Sequence, residues 1–349
     1  MKQTPISWKL VLNSLQKSQE LEKEQALWAM DQMMTGQTPD SILGAFLMGL
    51  HTKGESSQEL EYLSQGMLAK AVRPSIRQQA VDIVGTGGDQ QNTVNISTMA
   101  AVVIAASGVP VVKHGNRASS SASGSADVLE ALGVPLDLSI EEVEQCSAEI
   151  GIAFLFAQVF HPSMRFVAPV RRQMGVPSVF NFLGPLTNPA QVLSSAIGVA
   201  REDFAEKIAG VFAQRKNHHA LVFRGHDGLD ELTVSGPSDI WEIHQGEIRH
   251  QIFDPREFGF VYHSLSELRG ADASYNAQIF SDVMSQEICE GAIYDAVVLN
   301  ATAGLMAYQT PEELTSFEER FDNALNTVRE TLSSGKAQAK LESWINFKS

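Results

Sequence analysis

Cysteine and basic residues are scarce in this chain. Of its 349 residues only two are cysteines, Cys146 and Cys289. Each lies in a pattern typical of a helix face and neither has metal-ligand spacing, which predicts buried free thiols in a reducing compartment. Lysine and arginine total 26 against 41 acidic residues, so the formal net charge is -15. This charge argues against broad nucleic-acid binding and makes any local cluster of cations stand out.

Long apolar runs are absent as well. The most apolar windows, Met99–Val112 and Ala292–Tyr308, are interrupted by Gly and Pro or by Asp and Asn. The start of the chain shows neither an apolar targeting segment nor a small-residue cleavage site. We therefore expect a cytoplasmic protein that does not enter a membrane. With 44% hydrophobic residues, the chain suffices for a sizeable core in one large domain or two unequal ones.

The pattern of expected elements changes near residue 70. Before it the chain reads as helices only, one of which begins with a capping box formed by Ser56 and Glu59. From Val81 onward short apolar strands alternate with loops and helices, which is typical of a parallel sheet covered by helices. The prediction is an α/β fold class, with a small N-terminal helical domain (1–70, to which part of 165–190 can belong) and a larger α/β domain (71–349). Short antiparallel strands are expected at Leu232–Val234, Ile240–Ile243 and Ile248–Ile252.

A glycine loop follows the first expected strand, Val81–Val84. It reads Gly85-Thr86-Gly87-Gly88-Asp89 and precedes a helix that starts near Asn95. A helix N-terminus offers free N–H groups and partial positive charge, which suit a phosphate. The loop is neither a Walker A motif nor a GxGxxG fingerprint, and a glycine loop by itself also fits a tight turn.

A second loop of this kind follows the next expected strand, Val109–Lys113. Lys113-His114-Gly115-Asn116-Arg117 brings two cations beside a run of serines. This composition indicates an anion cradle, with a solvated serine loop as the alternative. Ligands of open α/β sheets lie beyond the carboxyl ends of the strands. Two such loops therefore predict a ligand with more than one phosphate.

Two charged pairs lie elsewhere in the chain. Asp230-Glu231 lies between two expected strands, where Gly228 allows a turn that would let both carboxylates face one cation. Paired carboxylates near phosphates suit Mg²⁺, although the pair alone is more typical of a solvated acidic turn. Arg171-Arg172 resembles ordinary surface charge, but one guanidinium could clamp a substrate carboxylate with two hydrogen bonds.

Taken together, these segments resemble the anthranilate phosphoribosyltransferase family of tryptophan biosynthesis. The resemblance spans essentially the whole chain and is carried by VGTGGDQQNTVNIST, VKHGNRASSSASGSADVLEALG, FNFLGPLTNPA, DGLDELT, LNATAGLMAY and SSGKAQAKLESW. It implies transfer of the 5-phosphoribosyl group of phosphoribosyl pyrophosphate to anthranilate, two Mg²⁺ ions per subunit, and a homodimer joined through the helical domains. Association with anthranilate synthase is left open.

The resemblance also implies roles for single residues. Phosphoribosyl pyrophosphate would contact Gly85, Gly88, Asp89, Thr93, Asn95, Ile96, Ser97, Thr98, Lys113, His114, Gly115, Asn116, Arg117, Ala118, Ser119, Ser120, Ser121 and Ser125. Anthranilate would contact Gly85, Asn116 and Arg171, and the metal ions would be held by Ser97, Asp230 and Glu231. One departure is Pro177, which stands where many relatives carry the Arg of a Gly-x-Arg-Thr motif and cannot supply a guanidinium.

The implied chemistry concentrates on the leaving group. Negative charge builds on pyrophosphate while the ribose becomes oxocarbenium-like, and metal, Lys113 and loop amides would stabilise that charge. Arg171 would orient the anthranilate carboxylate. A nucleoside phosphorylase is the alternative enzyme, but its typical Lys-His-Ser-Thr-Gly-Gly loop is not found here. A non-catalytic relative that binds nucleic acid should be basic, which this chain is not.

Overall fold

A computed structural model describes residues 5–118, 122–309 and 315–348. Its α-helices are α1 (Trp8–Gln16), α2 (Lys23–Met34), α3 (Asp40–Lys53), α4 (Ser57–Leu68), α5 (Ile96–Ala106), α6 (Ser125–Leu132), α7 (Ile140–Ile150), α8 (Ala157–Phe160), α9 (Ala168–Met174), α10 (Phe180–Leu183), α11 (Glu202–Gln214), α12 (Ala273–Met284), α13 (Ala292–Tyr308), α14 (Phe317–Ser333) and α15 (Lys336–Ile345). Short 3₁₀ helices lie at Pro162–Phe166, Gly184–Leu186, Pro255–Phe258 and Leu265–Leu268. The strands are β1 (Val81–Gly85), β2 (Val111–Gly115), β3 (Ile152–Phe156), β4 (Ser194–Gly198), β5 (His219–Gly225), β6 (Ser238–His244) and β7 (Glu247–Phe253).

The chain divides into two compact units. The first extends to Arg73 and includes Ala157–Pro189, and the second comprises Pro74–Phe156 and everything from Ala190 onward. None of the helices in the described ranges is both long and apolar enough to cross a bilayer.

The first unit is a helical bundle. Its helices α1 to α4 bury large apolar side chains such as Met30, Phe46 and Leu63. The predicted capping box is confirmed: Ser56 accepts the N–H of Glu59, and the Glu59 carboxylate accepts the N–H of Ser56. That pair satisfies two N–H groups that the first turn of α4 would otherwise leave free.

The second unit is built on one seven-stranded sheet with the order β3-β2-β1-β4-β5-β6-β7. The first five strands in this order are parallel, and β6 and β7 continue the sheet antiparallel. Helices α5 and α13 pack against the sheet and each other, and Gly304 permits their close approach, because a Cβ there would lie 2.2 Å from Ile104. The predicted fold class, a helical domain and a larger α/β domain with a mainly parallel sheet, is confirmed.

The expected strand at Leu232–Val234 is wrong. These residues are buried but irregular, and no neighbouring strand pairs with them in the sheet. The backbone of Leu232 bonds instead to the side chain of Asn300 on α13. An apolar run is consistent with a strand, yet the pairing partner that decides the matter lies far away in the sequence.

Candidate active site

Four neighbouring parallel strands of the second unit end in glycine at the same edge of the sheet. These are Gly85 on β1, Gly115 on β2, Gly198 on β4 and Gly225 on β5. The carboxyl ends of parallel strands are where open α/β sheets bind ligands. Here the missing side chains make room for loops that fold back over the strand ends.

The Asp230-Glu231 segment occupies part of that room. A Cβ on Gly85 would lie 2.1 Å from Asp230 Oδ2, and one on Gly198 would lie 1.7 Å from the Asp230 carbonyl oxygen. Gly85 and Gly198 face each other as register partners of β1 and β4. Together they form a floor without side chains on which Asp230 rests.

The first glycine loop and the start of α5 hold the two carboxylates. The backbone N–H of Gly87 donates to Asp230 Oδ2 at 2.6 Å, and that of Ser97 donates to Glu231 Oε1 at 3.1 Å. Residues 143 and 134 positions apart are thereby joined. The structure thus brings together the three residues predicted to bind metal, Ser97, Asp230 and Glu231.

The pKa values of the acidic groups are raised first by burial and then by the charges of their acidic neighbours. Burial raises the pKa of Asp230 to about 7, assisted by the neighbouring charge of Asp89. Burial and the charge of Asp230 raise the pKa of Glu231 well above its ordinary range, and burial raises that of Asp89. A cation bound at this place would offset the repulsion between the neighbouring carboxylates and favour their ionised forms.

Lys113 is the cation that the chain itself supplies at this place. It is 0% exposed, and its ammonium donates to the carbonyl of Ile83 and, at 3.3 Å, to Ser97 Oγ. Burial lowers its pKa, while the charges of Asp82, Glu231 and Asp230 act in the opposite direction. Lys113 is therefore buried beside Ser97 and interacts with the acidic pair from within the protein, rather than from the surface of the loop as the predicted cradle would have it.

The donor set fits magnesium. In the described part of the chain no group of three His, Cys, Asp or Glu side chains converges as a metal site. Two carboxylates and a hydroxyl suit an ion that keeps several waters and completes its shell with substrate phosphates, as Mg²⁺ does and Zn²⁺ usually does not.

Asn95, the N-cap of α5, has its side-chain amide engaged within the protein. Its Nδ2 donates to the carbonyl of Ser123 at 3.1 Å, and its Oδ1 accepts from Asn276 Nδ2 at 3.0 Å. Asn276 is buried and also accepts the N–H of Ala271. Asn95 therefore ties the two predicted phosphate loops together through its side chain.

The other residues predicted at the first loop lie close by. Gly88 has φ +85°, a left-handed conformation that glycine adopts without strain. Thr93 forms an isolated antiparallel bridge with Arg269. Ile96 and Thr98 begin α5 but are buried, so their backbone rather than their side chains would meet a ligand.

The second loop differs from its prediction in the pairing of Arg117. The guanidinium bonds to Asp127 at 3.0 Å and to Glu130 at 2.7 Å, and these bonds raise its pKa. Asp127 also accepts the N–H groups of Ala118 and Gly124 and so closes the loop at its base. One of the two cations predicted for the cradle is thus paired within the protein, since the first two turns of α6 carry acidic partners for it.

The remaining second-loop residues follow β2. The N–H of His114 donates to buried Asp82, and Asn116 Oδ1 accepts the N–H of Arg117. Gly115 ends the strand, and Ser125 begins α6. The predicted phosphate contacts Ser119, Ser120 and Ser121 lie outside the described residues.

Arg171 belongs to the first unit, on α9. Its guanidinium donates to Asn181 Oδ1 at 3.3 Å and lies 5.6 Å from the centre of the Phe180 ring. Asn181 Oδ1 is in turn held by the N–H of Ser178. Burial lowers the pKa of Arg171. Its neighbour Arg172 is exposed, so the two arginines of the pair have different surroundings.

Three residues that support the site were not predicted as site residues: Gly198, Asn276 and Asn300. Two of them carry a recognisable signal, namely a glycine at the end of a strand and an asparagine within an apolar helix. Both signals indicate that another part of the chain comes unusually close to the residue, but they do not identify that part.

Comparison with known proteins agrees with this geometry. The family model "Glycosyl transferase family, helical bundle domain" matches residues 9–71, and "Glycosyl transferase family, a/b domain" matches residues 77–338. An anthranilate phosphoribosyltransferase of Arthrobacter sp. (strain FB24) is 52% identical over 97% of this chain and 95% of its own length.

Solved structures agree in the same way. The anthranilate phosphoribosyltransferase of Thermus thermophilus has a TM-score of 0.87 and 38% identity, covering 96% of this chain and 98% of its own. That of Saccharomyces cerevisiae, in complex with PRPP and Mg, has a TM-score of 0.87 and 26% identity, covering 97% and 98%.

Proposed function

Because the chain belongs to the anthranilate phosphoribosyltransferase family, we infer that it is a Mg²⁺-dependent phosphoribosyltransferase of tryptophan biosynthesis. It transfers the 5-phosphoribosyl group of phosphoribosyl pyrophosphate to the amine of anthranilate, giving N-(5-phosphoribosyl)anthranilate and pyrophosphate. The observation that carries this function is the bonding of both the Gly87 and Ser97 amides to the Asp230-Glu231 pair. It joins a phosphate-type loop, a helix N-terminus and a metal-type carboxylate pair in one place.

We propose that Asp230 and Glu231, with the Ser97 hydroxyl, hold the magnesium, as two ions per subunit. Bound Mg²⁺ supplies positive charge against the charge that develops on the pyrophosphate leaving group. The closeness of the two carboxylates supports this assignment: each raises the other's cost of ionisation in a buried place, and a bound dication would offset that repulsion.

The chain's own donors would complete the phosphate site. The amides of the Gly85–Asp89 loop other than those of Thr86 and Gly87 are proposed to bind the pyrophosphate, assisted by the partial positive charge at the start of α5. The amides of Thr86, Gly87 and Ser97 donate instead to Gly198, Asp230 and Glu231. Lys113 would act from the protein interior, since its ammonium contacts Ser97 Oγ and contributes positive charge in a region where solvent screens it little. The Lys113–Ser125 loop would hold further phosphate.

Anthranilate is proposed to contact Gly85, Asn116 and Arg171. Arg171 is a suitable carboxylate clamp because Asn181 and Phe180 already orient its guanidinium within the first unit. Pro177 does not remove that clamp. Orientation of the carboxylate would direct the amine toward the ribose, a positioning effect rather than proton transfer.

The clamp is tested by Arg171→Ala, with Arg172→Ala as the matched control. Loss of a charged hydrogen bond is worth about 1.5–3 kcal/mol, so the anthranilate KM should rise roughly tenfold to a hundredfold. The KM for phosphoribosyl pyrophosphate should stay within about twofold, and Arg172→Ala should change neither. Equal increases in both KM values would exclude a dedicated anthranilate clamp.

The metal assignment is tested by Asp230→Asn and Glu231→Gln in steady-state assays over a range of Mg²⁺ concentrations. Each variant should need at least about tenfold more Mg²⁺ for half-maximal rate. The exposed Glu287 provides a control, since Glu287→Gln removes the same charge elsewhere. Full activity at ordinary Mg²⁺ in both site variants would refute the assignment.

We further propose that the protein is a cytoplasmic homodimer joined through its helical units. Light scattering coupled to size-exclusion chromatography measures the mass directly, and a monomer at micromolar concentration would contradict the proposal. Co-purification with anthranilate synthase would test the association that the sequence leaves open.

A further inference from the structure

Asn300 is a polar residue in the middle of an otherwise apolar helix. It lies on α13, in the stretch Val297-Val298-Leu299-Asn300-Ala301, and its exposure is 0%. An amide in such surroundings is unfavourable unless its donors and acceptor are all bonded. They are: Nδ2 donates to the carbonyl of Leu232 at 3.0 Å and to that of Ala296 at 2.9 Å, while Oδ1 accepts the N–H of Leu232 at 2.9 Å.

Leu232 requires this partner. It is 0% exposed and belongs to no strand, so no sheet neighbour bonds its backbone. A buried N–H and C=O left without partners would each cost about 1–3 kcal/mol. The side chain of Asn300 bonds both groups at once, as the backbone of an adjacent strand would do. One side chain thereby fixes both the position and the orientation of this peptide segment.

Leu232 directly follows Glu231. The acidic pair is therefore held on three sides: by Gly198 beneath the Asp230 carbonyl, by the Gly87 and Ser97 amides at the carboxylates, and by Asn300 immediately after the pair. The first two restraints belong to the floor and the phosphate loops. The third comes from α13. Among the described residues, Asn300 is the side chain of this helix that bonds to the segment from Asp230 to Leu232.

We propose that Asn300 is a positioning residue for the metal site, which locks the Leu232 backbone so that Asp230 and Glu231 face a divalent cation together. This inference rests on the proposed metal role of that pair. Residues that orient metal ligands from behind typically affect metal affinity or activity by about tenfold to a hundredfold. Asn300 would act in this way through the backbone rather than through a ligand side chain.

The test compares Asn300→Leu, Asn300→Asp and the control Thr302→Val. Leu fills the space but bonds neither group of Leu232, whereas Asp keeps an acceptor for its N–H. Thr302 lies two residues further along α13, is equally buried, and bonds only to the carbonyl of Val298 in its own helix. Its replacement therefore reproduces the loss of a buried polar group without touching the acidic segment.

Three measurements are made on each folded variant. Hydrogen exchange, followed by mass spectrometry on metal-free protein, reports the protection of the peptide that contains Leu232. Electron paramagnetic resonance of free Mn²⁺ in the presence of pyrophosphate reports metal affinity without turnover. Steady-state kinetics report the Mg²⁺ concentration at half-maximal rate. We expect Asn300→Leu to lose hydrogen-exchange protection at Leu232, to bind Mn²⁺ at least about tenfold more weakly, and to need at least about tenfold more Mg²⁺ for half-maximal rate. Asn300→Asp should give values between those of Asn300→Leu and wild type. Thr302→Val should match wild type in all three measurements.

Wild-type metal affinity in Asn300→Leu would overturn the inference, as would an equal loss of affinity in Thr302→Val. If Asn300→Leu does not fold, Asn300→Asp decides the question against the same control. The proposed metal site is judged separately: unchanged Mn²⁺ binding in Asp230→Asn and Glu231→Gln would refute that site. Weakened binding there, with wild-type binding in the Asn300 variants, would refute the positioning role alone.

Discussion

Replacement of Gly198 by Ala tests whether the site depends on the floor formed by the strand ends. The backbone of Gly198 does not have a positive φ, so only the steric contacts of the added methyl group oppose alanine at this position. The added Cβ would lie 1.7 Å from the Asp230 carbonyl oxygen, 2.4 Å from its carbonyl carbon and 3.2 Å from the Glu231 nitrogen. Because non-bonded atoms normally stay about 3.5 Å apart, the segment must retreat by roughly 1.5 Å or more.

Such a displacement has separate effects on stability and on activity. Overpacking of this kind typically costs about 1–3 kcal/mol of folding free energy, which the folded protein can tolerate. A misplacement near 1 Å of groups that bind the reacting substrate can lower the rate by about a hundredfold. We therefore expect Gly198→Ala to remain folded while kcat falls about a hundredfold and more Mg²⁺ is needed for half-maximal rate.

The assay is steady-state formation of product at several Mg²⁺ concentrations, together with thermal unfolding. Gly236→Ala is the matched control, since a Cβ there meets nothing within 4 Å and its φ is not positive. Wild-type kcat and Mg²⁺ dependence in Gly198→Ala would refute the argument that this glycine sets the position of Asp230. A loss of the same size in Gly236→Ala would show that the effect is not specific to the floor.

Two further predictions concern stability and thiol chemistry. Burial alone would raise the pKa of Glu242, but hydrogen bonds from His219 and Arg320 outweigh it and lower the pKa to about 2. Because this pKa is lowered in the folded protein, the ionised carboxylate stabilises the fold above the ordinary pKa near 4.5, and that stabilisation is lost as the pH falls from there through about 2. Glu242→Gln should therefore lower the free energy of unfolding at pH 7, measured by denaturant titration, by about 3 kcal/mol. It should also make that free energy decline less steeply with falling pH over the acid range. An unchanged free energy of unfolding in Glu242→Gln would contradict this prediction. Burial raises the pKa of the Cys146 thiol to about 12, whereas Cys289 is exposed. A thiol-reactive disulfide should therefore label only Cys289 in the native protein and both cysteines after denaturation. Rapid labelling of both cysteines in the native protein would show that Cys146 is accessible.

The two glycine loops were predictable because their signals are local. Each consists of an apolar strand, a run of small residues and a helix start within about twenty residues, and these features determine their own local structure. The same holds for the capping box at Ser56 and for the antiparallel strands at Ile240–Ile243 and Ile248–Ile252, which are confirmed. The resemblance to a known family then supplied the chemistry that local patterns could not.

Contacts between distant residues were not predictable in this way. The composition of the second loop predicts an anion cradle with Arg117 as one of its two cations, but the fold brings Asp127 and Glu130 to this guanidinium across the turn into α6. Asn95 is predicted at the start of the helix after the first loop, but the sequence does not indicate that Asn276, 181 positions away, bonds to its side chain. In both cases the sequence correctly predicts a polar side chain near the loops, whereas the packing of the fold selects the partner of that side chain.

What the sequence by itself determined is the kind of site: two phosphate-type loops after neighbouring strands, a carboxylate pair and a family whose members transfer phosphoribosyl groups. Only the tertiary structure decided how those parts meet, because hydrogen bonds to Asp230, Glu231 and Leu232 join segments 143, 134 and 68 residues apart. Side-chain period and turn chemistry act over a few residues, whereas these bonds depend on the order in which the strands assemble. The same assembly places Gly198 and Asn300 around the acidic pair. Local patterns mark both residues as unusual, but they do not identify the distant segment that each one contacts.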